Sequence, residues 1–470
     1  MKYYWTCYLP SYPKVILYML QNSEYRVGDF LHWYYRTRDF RNVMKRRQLI
    51  WTAKVKLLGL VELLIILAVL TVAWLSVSLS IWLSILILLL MPIILVYAIV
   101  IPLWAGRALI QRPKEKRMIA KATAKLDKHP AKKIAIVGSY GKTTTREILK
   151  TVLVEEFKVA ATPGNMNTPI GTSRFVDTLD GDEDVLLFEL GESTIGDVRE
   201  LCEIIQPDLG IITGINEAHL ESFGSVENTI STIFELKDFI DDSHIYKNSD
   251  SRLVRDNTIK DDPKSYSKKG VAGWCVDRVD VSLEGTKFTL SKGKKSIIAT
   301  SKLVGEHLVG VLSLAAAVAD DFGLTTKEIE SGLKNTQPFE HRMQPYKLHG
   351  AWIIDDTYNG NREGVEAAIR LLDQLDAKRK VYVTPGLVEQ GNRKQEVHEN
   401  IGKLLAGVAD VVVLMQNSTT QFIQRGLESA GFKGELQIID NPVKFYTHLE
   451  HFVAEGDIIM LQNDWPDFYE

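Results

Sequence analysis

The stretch KIAIVGSYGKTTTREILKTVLVEEF, residues 133–157, decides the fold. Lys133 to Val137 make a short apolar run of strand character, Gly138 to Gly141 form a glycine turn, and a helical period follows from Thr145 to Phe157. Strand, glycine turn and helix are the setting of a phosphate-binding loop. Glycines let backbone N–H groups curl around phosphate oxygens, and the helix N-terminus adds its dipole. In this reading Gly138, Ser139, Tyr140, Gly141 and Thr144 cradle a nucleotide, Lys142 supplies a point charge and Thr143 a hydroxyl for Mg2+. The spacing is GxxGKT, not the commoner GxxxxGK[ST], so a plain glycine turn is the alternative.

Around this loop the chain has 470 residues, of which 46% are hydrophobic and 24% charged, which excludes disordered and low-complexity classes and predicts two or three domains. Three separated cysteines, Cys7, Cys202 and Cys275, make neither a disulfide framework nor a zinc ribbon and fit a reducing compartment. Charge is divided unevenly: residues 1–133 carry 21 Lys and Arg against 6 Asp and Glu, and the remainder 35 against 53. The basic part surrounds an apolar stretch, so an anionic lipid surface is the expected partner and nucleic acid is not.

That stretch, 57–106, contains a single charged residue, Glu62. Leu57–Val77 and Leu79–Trp104 are each long enough to cross a hydrocarbon core, with a tight turn between them. Basic residues flank both outer ends, from Arg36 to Lys56 and from Arg107 to Lys121, so the positive-inside rule puts both termini in the cytoplasm. A two-pass cell-membrane protein is expected, with residues 1–56 as an aromatic and basic juxtamembrane segment and 107–132 as a basic linker. The ordinary reading of Glu62 is snorkelling from the inner end of the first helix; a functional intramembrane carboxylate is the alternative.

The downstream segments resemble the Mur ligases, in order, over some 330 residues. VGSYGKTTT (137–145) is similar to their nucleotide loop, ATPGNMNTPIGTS (161–173) to their GN-x-N loop, LLFELGESTIGDV (186–198) to their acidic strand end and IITGINEAHLESFGS (211–225) to their AHL segment. LVGEHLVGVLSLAAAVADDFGL (303–324), FEHRMQ (339–344), IIDDTYNGNREGVEAAIRLL (353–372) and TPGLVEQG (384–391) with His398 continue the resemblance, nearest to the MurF branch. It implies an α/β protein: a P-loop central domain at 133–337 and a Rossmann-like C-terminal domain at 338–470, closing on ATP. It also implies that a carboxylate is activated by ATP as an acyl phosphate and captured by an amine, the acceptor being a UDP- or lipid-linked peptidoglycan precursor and the amine an amino acid or dipeptide such as D-alanyl-D-alanine. Both steps gather negative charge, which calls for a phosphate cradle, a divalent metal and cations.

Carried over residue by residue, the resemblance makes Lys142, Glu189 and His219 catalytic, and Thr143, Glu189 and His219 metal ligands. Arg342 is implied for phosphate and Asp356 for ribose, with Asn165, Asn167, Tyr358, Asn359 and Asn361 toward substrate. A core histidine, a surface arginine and a plain asparagine turn are the ordinary alternatives. The chain also departs from the pattern. Ile233 stands where the family's carbamylated lysine falls, with Lys237 one helical turn on; Gly214 and Val311 replace asparagines; and Leu461-Gln-Asn-Asp-Trp465 replaces a basic turn. Residues 1–132 match no UDP-sugar domain. Beside a ligase, the sequence therefore leaves open an ATP-binding scaffold for wall enzymes and, more distantly, a membrane ATPase or phosphatase.

The remaining pattern predicts a β-rich insertion over Val271–Thr300, strands at Trp352–Asp355, Lys380–Thr384, Val411–Met415 and Asp457–Leu461, and helices at Arg362–Leu375 and Glu396–Leu405.

Overall fold

The structure, a computed structural model, describes residues 4–462 apart from 24, 42, 44–48, 165, 217–222, 359, 388–389 and 391–392. It divides into two compact units, residues 1–118 and 119–470.

In the first unit, α1 (Tyr12–Asn22) and α2 (Val27–Arg36) precede two long apolar helices, α3 (Ala53–Ser76) and α4 (Ile81–Gly106). Tyr12, Ile16, Leu20 and Phe30 share a buried cluster with Val55, Leu58, Leu95, Val96 and Ile99. Part of the aromatic segment therefore packs as protein core against the hairpin. Pro92 deprives α4 of a ladder N–H, and in this part of the helix Tyr8 Oη donates to Leu89 O at 2.5 Å and Tyr12 Oη to Pro92 O at 3.4 Å. Elsewhere the two long helices turn Leu63, Leu67, Leu70, Trp74, Trp82 and Leu86 outward, each about half exposed or more. Glu62 is buried within the unit and does not reach outward.

The second unit contains two sheets. The strands of the first are β1 (Lys132–Val137), β2 (Val159–Ala161), β3 (Val185–Glu189), β4 (Leu209–Ile212), β5 (Ile245–Asn248), β6 (Ser265–Ser267), β7 (Gly270–Val271), β8 (Trp274–Ser282), β9 (Gly285–Lys292) and β10 (Lys295–Ser301), in the spatial order β10-β9-β8-β7-β6-β5-β4-β1-β3-β2. Pairing is parallel from β2 to β6 and antiparallel from β6 to β10. β3 and β4, VLLFE and LGII, are buried along their whole length, as strands covered on both faces must be. The second half of α5 (Arg112–Leu126) belongs to this unit: Ala122 and Leu126 pack with Val137, Phe188 and Ile212. On the other face α6 (Lys142–Leu153) buries Ile148, Leu149, Val152 and Leu153 beside α7 (Val309–Asp321) and α8 (Thr326–Asn335).

The second sheet has the order β11-β12-β16-β13-β14-β15, from β11 (Gln344–Leu348), β12 (Ala351–Asp356), β13 (Arg379–Thr384), β14 (Val411–Met415), β15 (Glu435–Ile439) and β16 (Asp457–Gln462). Only the β11–β12 pair is antiparallel. The helices α9 (Arg362–Gln374), α10 (Lys394–Leu405) and α11 (Thr420–Ser429) bury Leu372, Ile401 and Ile423 in one cluster with Tyr382 and Met460. β11 and β15 were not expected from sequence: QPYKL contains a proline and both lie at sheet edges, where half-exposed residues blur the pattern.

The ends of β1 and β3 away from the glycine loop are stapled by a buried pair. His129 Nε2 lies 3.0 Å from Glu183 Oε2, and Glu183 also accepts the N–H groups of Asp180 and Gly181 at 2.8 and 2.9 Å. Burial opposes the charge on Glu183, but these donors hold its pKa down at about 2. A carboxylate depressed in the folded state stabilises the fold above its ordinary pKa, and that stability is lost as pH falls toward 2. Glu183→Ala should therefore lower the unfolding free energy near neutral pH by about 2–4 kcal/mol, read from urea titration, through the orphaned N–H groups and the unpaired buried histidine.

Candidate functional site

β1, β3 and β4 run parallel and in register, with Ile136 beside Glu189 and Val137 beside Ile212, so the turns that follow them meet at one edge of the sheet. The turn after β1 needs glycine: Gly138 has φ +145°, and a Cβ there would lie 2.2 Å from Thr213 Oγ1. Thr213 Oγ1 in turn donates to Tyr140 O at 2.6 Å. Gly214 O accepts the N–H groups of Ser139 and Tyr140 at 2.6 and 3.3 Å. The phenol ring of Tyr140 covers Gly214 so closely that a Cβ at 214 would fall 2.1 Å from its Cζ. Its hydroxyl hydrogen-bonds Ser251, and burial pushes it up to about 12.

Lys142, Thr143 and Thr144 open α6. Lys142 Nζ donates to Gly138 O and to both carboxylate oxygens of Glu192, the latter at 3.0 and 2.8 Å. Thr143 Oγ1 donates to the Glu189 oxygens at 3.2 and 3.0 Å. One turn along α6, Arg146 Nη1 reaches Glu189 Oε2 at 2.8 Å and Gly164 O at 3.2 Å. Burial pushes the Glu192 carboxyl up from its ordinary value, against the pull of Lys142. Asn167 O accepts the Gly191 N–H at 2.8 Å, tying the asparagine loop to the acidic strand end.

A cavity of about 610 Å³ joins this edge to the C-terminal part of the unit. Tyr140, Gly141 and Thr144 line it from the loop, and Arg342, Asp356, Tyr358 and Asn361 from the far side. Lys142, Thr143, Glu189 and Glu192 are not on its wall; Lys142 and Thr143 lie between the lining residues Gly141 and Thr144 and hold Glu192 and Glu189 beside it. The Arg342 guanidinium lies 4.8 Å from the Tyr358 ring centroid. Asp356 accepts from Met343 N at 3.1 Å and Gln462 Nε2 at 2.6 Å, but burial pushes its carboxyl up to about 6. Asn361 caps α9, its Oδ1 accepting the Gly364 N–H at 2.8 Å. His307 also lines the cavity, with its side chain exposed. Val311 also lines the cavity.

Asn165, His219 and Asn359 lie outside the described residues. Ile233 is fully buried in the apolar core of the first sheet, and Lys237 Nζ sits 3.1 Å from Asp242 Oδ1. The sequence reading passed over Glu192 and Arg146. Both were findable: Glu192 follows Glu189 by three residues in the strand-end segment, and Arg146 follows Lys142 by one helical turn.

The donor set suits a nucleotide and its metal. The hydroxyl of Thr143 beside the carboxylate of Glu189 offers hard oxygen ligands to a divalent cation. Thr145, fully buried on the cavity wall, has a hydroxyl with no hydrogen-bond partner among the described residues, as does Ser139 Oγ in the loop. A phosphate-rich ligand supplies the acceptors that such groups want.

Asp356 makes a pH signature. Because its folded pKa is raised, the folded chain holds a proton that the unfolded chain has lost between about pH 4 and 6, so this group adds stability as pH falls through that window. Urea titrations at pH 5 and pH 7 should differ by a contribution of about 1–1.5 kcal/mol from this group, and that difference should vanish in Asp356→Asn.

Comparison with known proteins places this geometry. The Mur ligase middle domain family model matches residues 136–319, and the model for the Mur ligase glutamate ligase domain matches residues 341–462. The chain is 27% identical over 343 residues to the UDP-N-acetylmuramoyl-tripeptide–D-alanyl-D-alanine ligase of Bacillus subtilis (strain 168), covering 73% of this chain and 75% of that one. It is 28% identical over 306 residues to the protein of that name from Borreliella burgdorferi, covering 61% and 62%. MurF ligase from Thermotoga maritima, solved in complex with ADP, superposes with a TM-score of 0.63 at 25% identity, over 74% of this chain and 80% of that one. MurF from Acinetobacter baumannii gives 0.64 at 22% identity, over 74% and 77%. With both catalytic domains matched and the nucleotide loop facing Arg342 and Asp356 across one cavity, the chain belongs to the Mur ligase family, whose members are ATP-dependent carbon–nitrogen ligases.

Proposed function

We propose that this chain is a membrane-anchored ligase that spends ATP to join an amino acid or dipeptide, with D-alanyl-D-alanine as the specific assignment, to a UDP- or lipid-linked peptidoglycan precursor. The observation that carries the reading is the shared cavity, in which the glycine loop meets Arg342 and Asp356. The MurF names of the relatives support the choice of amine and acceptor.

In this mechanism the acceptor's terminal carboxylate attacks the γ-phosphorus of ATP, releasing ADP and leaving an acyl phosphate. The amine nitrogen then attacks the acyl carbon, phosphate departs, and the nitrogen's surplus proton is lost. Lys142 and the loop amides hold the phosphates, Arg342 adds positive charge from the opposite wall, and Asp356 orients the ribose. Thr143 and Glu189 would hold Mg2+, with His219 as a further ligand, and the ion would supply positive charge to offset that of the phosphates. Buried Leu303, Val304 and Leu308 give part of the cavity an apolar wall suited to a base.

Anchoring rests on α3 and α4, both long and apolar enough to cross a bilayer, and on the apolar side chains they expose. The basic flanks argue for both termini and the catalytic unit on the cytoplasmic side. A second reading, an ATP-binding scaffold with impaired chemistry, is favoured by Ile233, whose apolar burial leaves no carbamate at that position.

Membranes containing the protein, incubated with ATP, Mg2+, precursor tripeptide and D-alanyl-D-alanine, should yield the extended peptide by mass spectrometry, and Lys142→Ala should cut the rate by about 10²–10³. ATP binding without product from any precursor and amine would decide for the scaffold. Removing residues 1–118 should move the protein from the membrane pellet to the supernatant after centrifugation.

A further inference from the structure

The Lys142–Glu192 pair is the least expected feature of the nucleotide loop. Its side chains are 12% and 2% exposed, and both oxygens of Glu192 are engaged by the one ammonium. Lys142 is also the loop's phosphate-binding charge, so triphosphate oxygens and Glu192 compete for it. When phosphate claims Lys142, Glu192 becomes a buried carboxylate without a cation, and an uncompensated buried charge costs several times what the pair itself is worth.

Among the described residues no neighbouring cation is free to take over. Arg146, 3% exposed, is committed to Glu189 at 2.8 Å, to Glu147 at 2.6 Å and to Gly164 O at 3.2 Å. The replacement must arrive with the ligand, and a nucleoside triphosphate brings a divalent cation. The unpartnered buried hydroxyl of Thr145 on the cavity wall independently marks this end of the loop as built around a ligand. Resting on the ligase reading above, we infer that Glu192 exchanges Lys142 for the divalent cation that accompanies the nucleotide, so that this carboxylate joins Thr143 and Glu189 in holding the metal. Glu192 thus supplies negative charge to the metal in a chain whose position 233 is apolar.

The test is calorimetric titration of the full-length protein in detergent with the non-hydrolysable analogue AMP-PNP, with Mg2+ and with EDTA. Wild type should bind more tightly with Mg2+. Glu192→Gln should lose roughly tenfold or more of that gain, while its EDTA affinity rises because Lys142 is released. An unchanged Mg2+ gain in Glu192→Gln overturns the inference alone, whereas wild type that binds no AMP-PNP overturns the ligase reading and this inference with it. A second measurement does not depend on the folding of that variant. In Lys142→Gln without nucleotide, the freed carboxylate should bind Mn2+ at least tenfold more tightly than wild type by electron paramagnetic resonance, and Lys142→Gln/Glu192→Gln should abolish the gain. Equal Mn2+ affinity in Lys142→Gln and wild type counts against the exchange.

Discussion

Everything in the site depends on three parallel strands that end side by side. β1 leads into the glycine loop, β3 into Glu189 and Glu192, and β4 into Thr213 and Gly214, and their register brings these segments together without any long-range loop having to be folded into place. Ligands of open α/β sheets bind at such carboxyl edges. Interior strand residues with no polar side chains, such as Ile134, Ile136, Leu187 and Ile211, fix that register through burial alone. The staple of His129 to Glu183 secures the opposite end.

At the edge itself the governing term is electrostatic. Two cations of α6 and two carboxylates of the β3 segment are buried together, Lys142 with Glu192 and Arg146 with Glu189. Buried pairs contribute little net stability but penalise any state in which one partner leaves alone. On the proposed reading, a site built in this way penalises occupation by phosphate without the metal. The second sheet supplies the remaining charge from across the cavity, through Arg342 and Asp356.

Much of this was legible in the sequence because it depends on local pattern. KIAIVGSYGKTTT specifies strand, turn and helix within thirteen residues, and the strand at Val411–Met415 and the helix start at Arg362 follow from runs that bury one face or two. The edge strands β11 and β15 were not legible, since their residues alternate poorly and one holds a proline. The pairing of Lys142 with Glu192 was hidden for a different reason. The two residues are 50 positions apart, and only the register of β1 and β3 brings them within reach. The role of Asn361 as a helix cap is local, by contrast, but an asparagine turn reads the same whether its amide faces a ligand or its own backbone.

The overlap between Tyr140 and position 214 couples two positions that lie 74 residues apart in the chain. Because the phenol occupies the volume that any side chain at 214 would need, the two positions form a lock in which neither can change first at no cost. A side chain at 214 therefore requires that the ring at 140 shift or be lost, so a substitution at one position has its cost decided by the other.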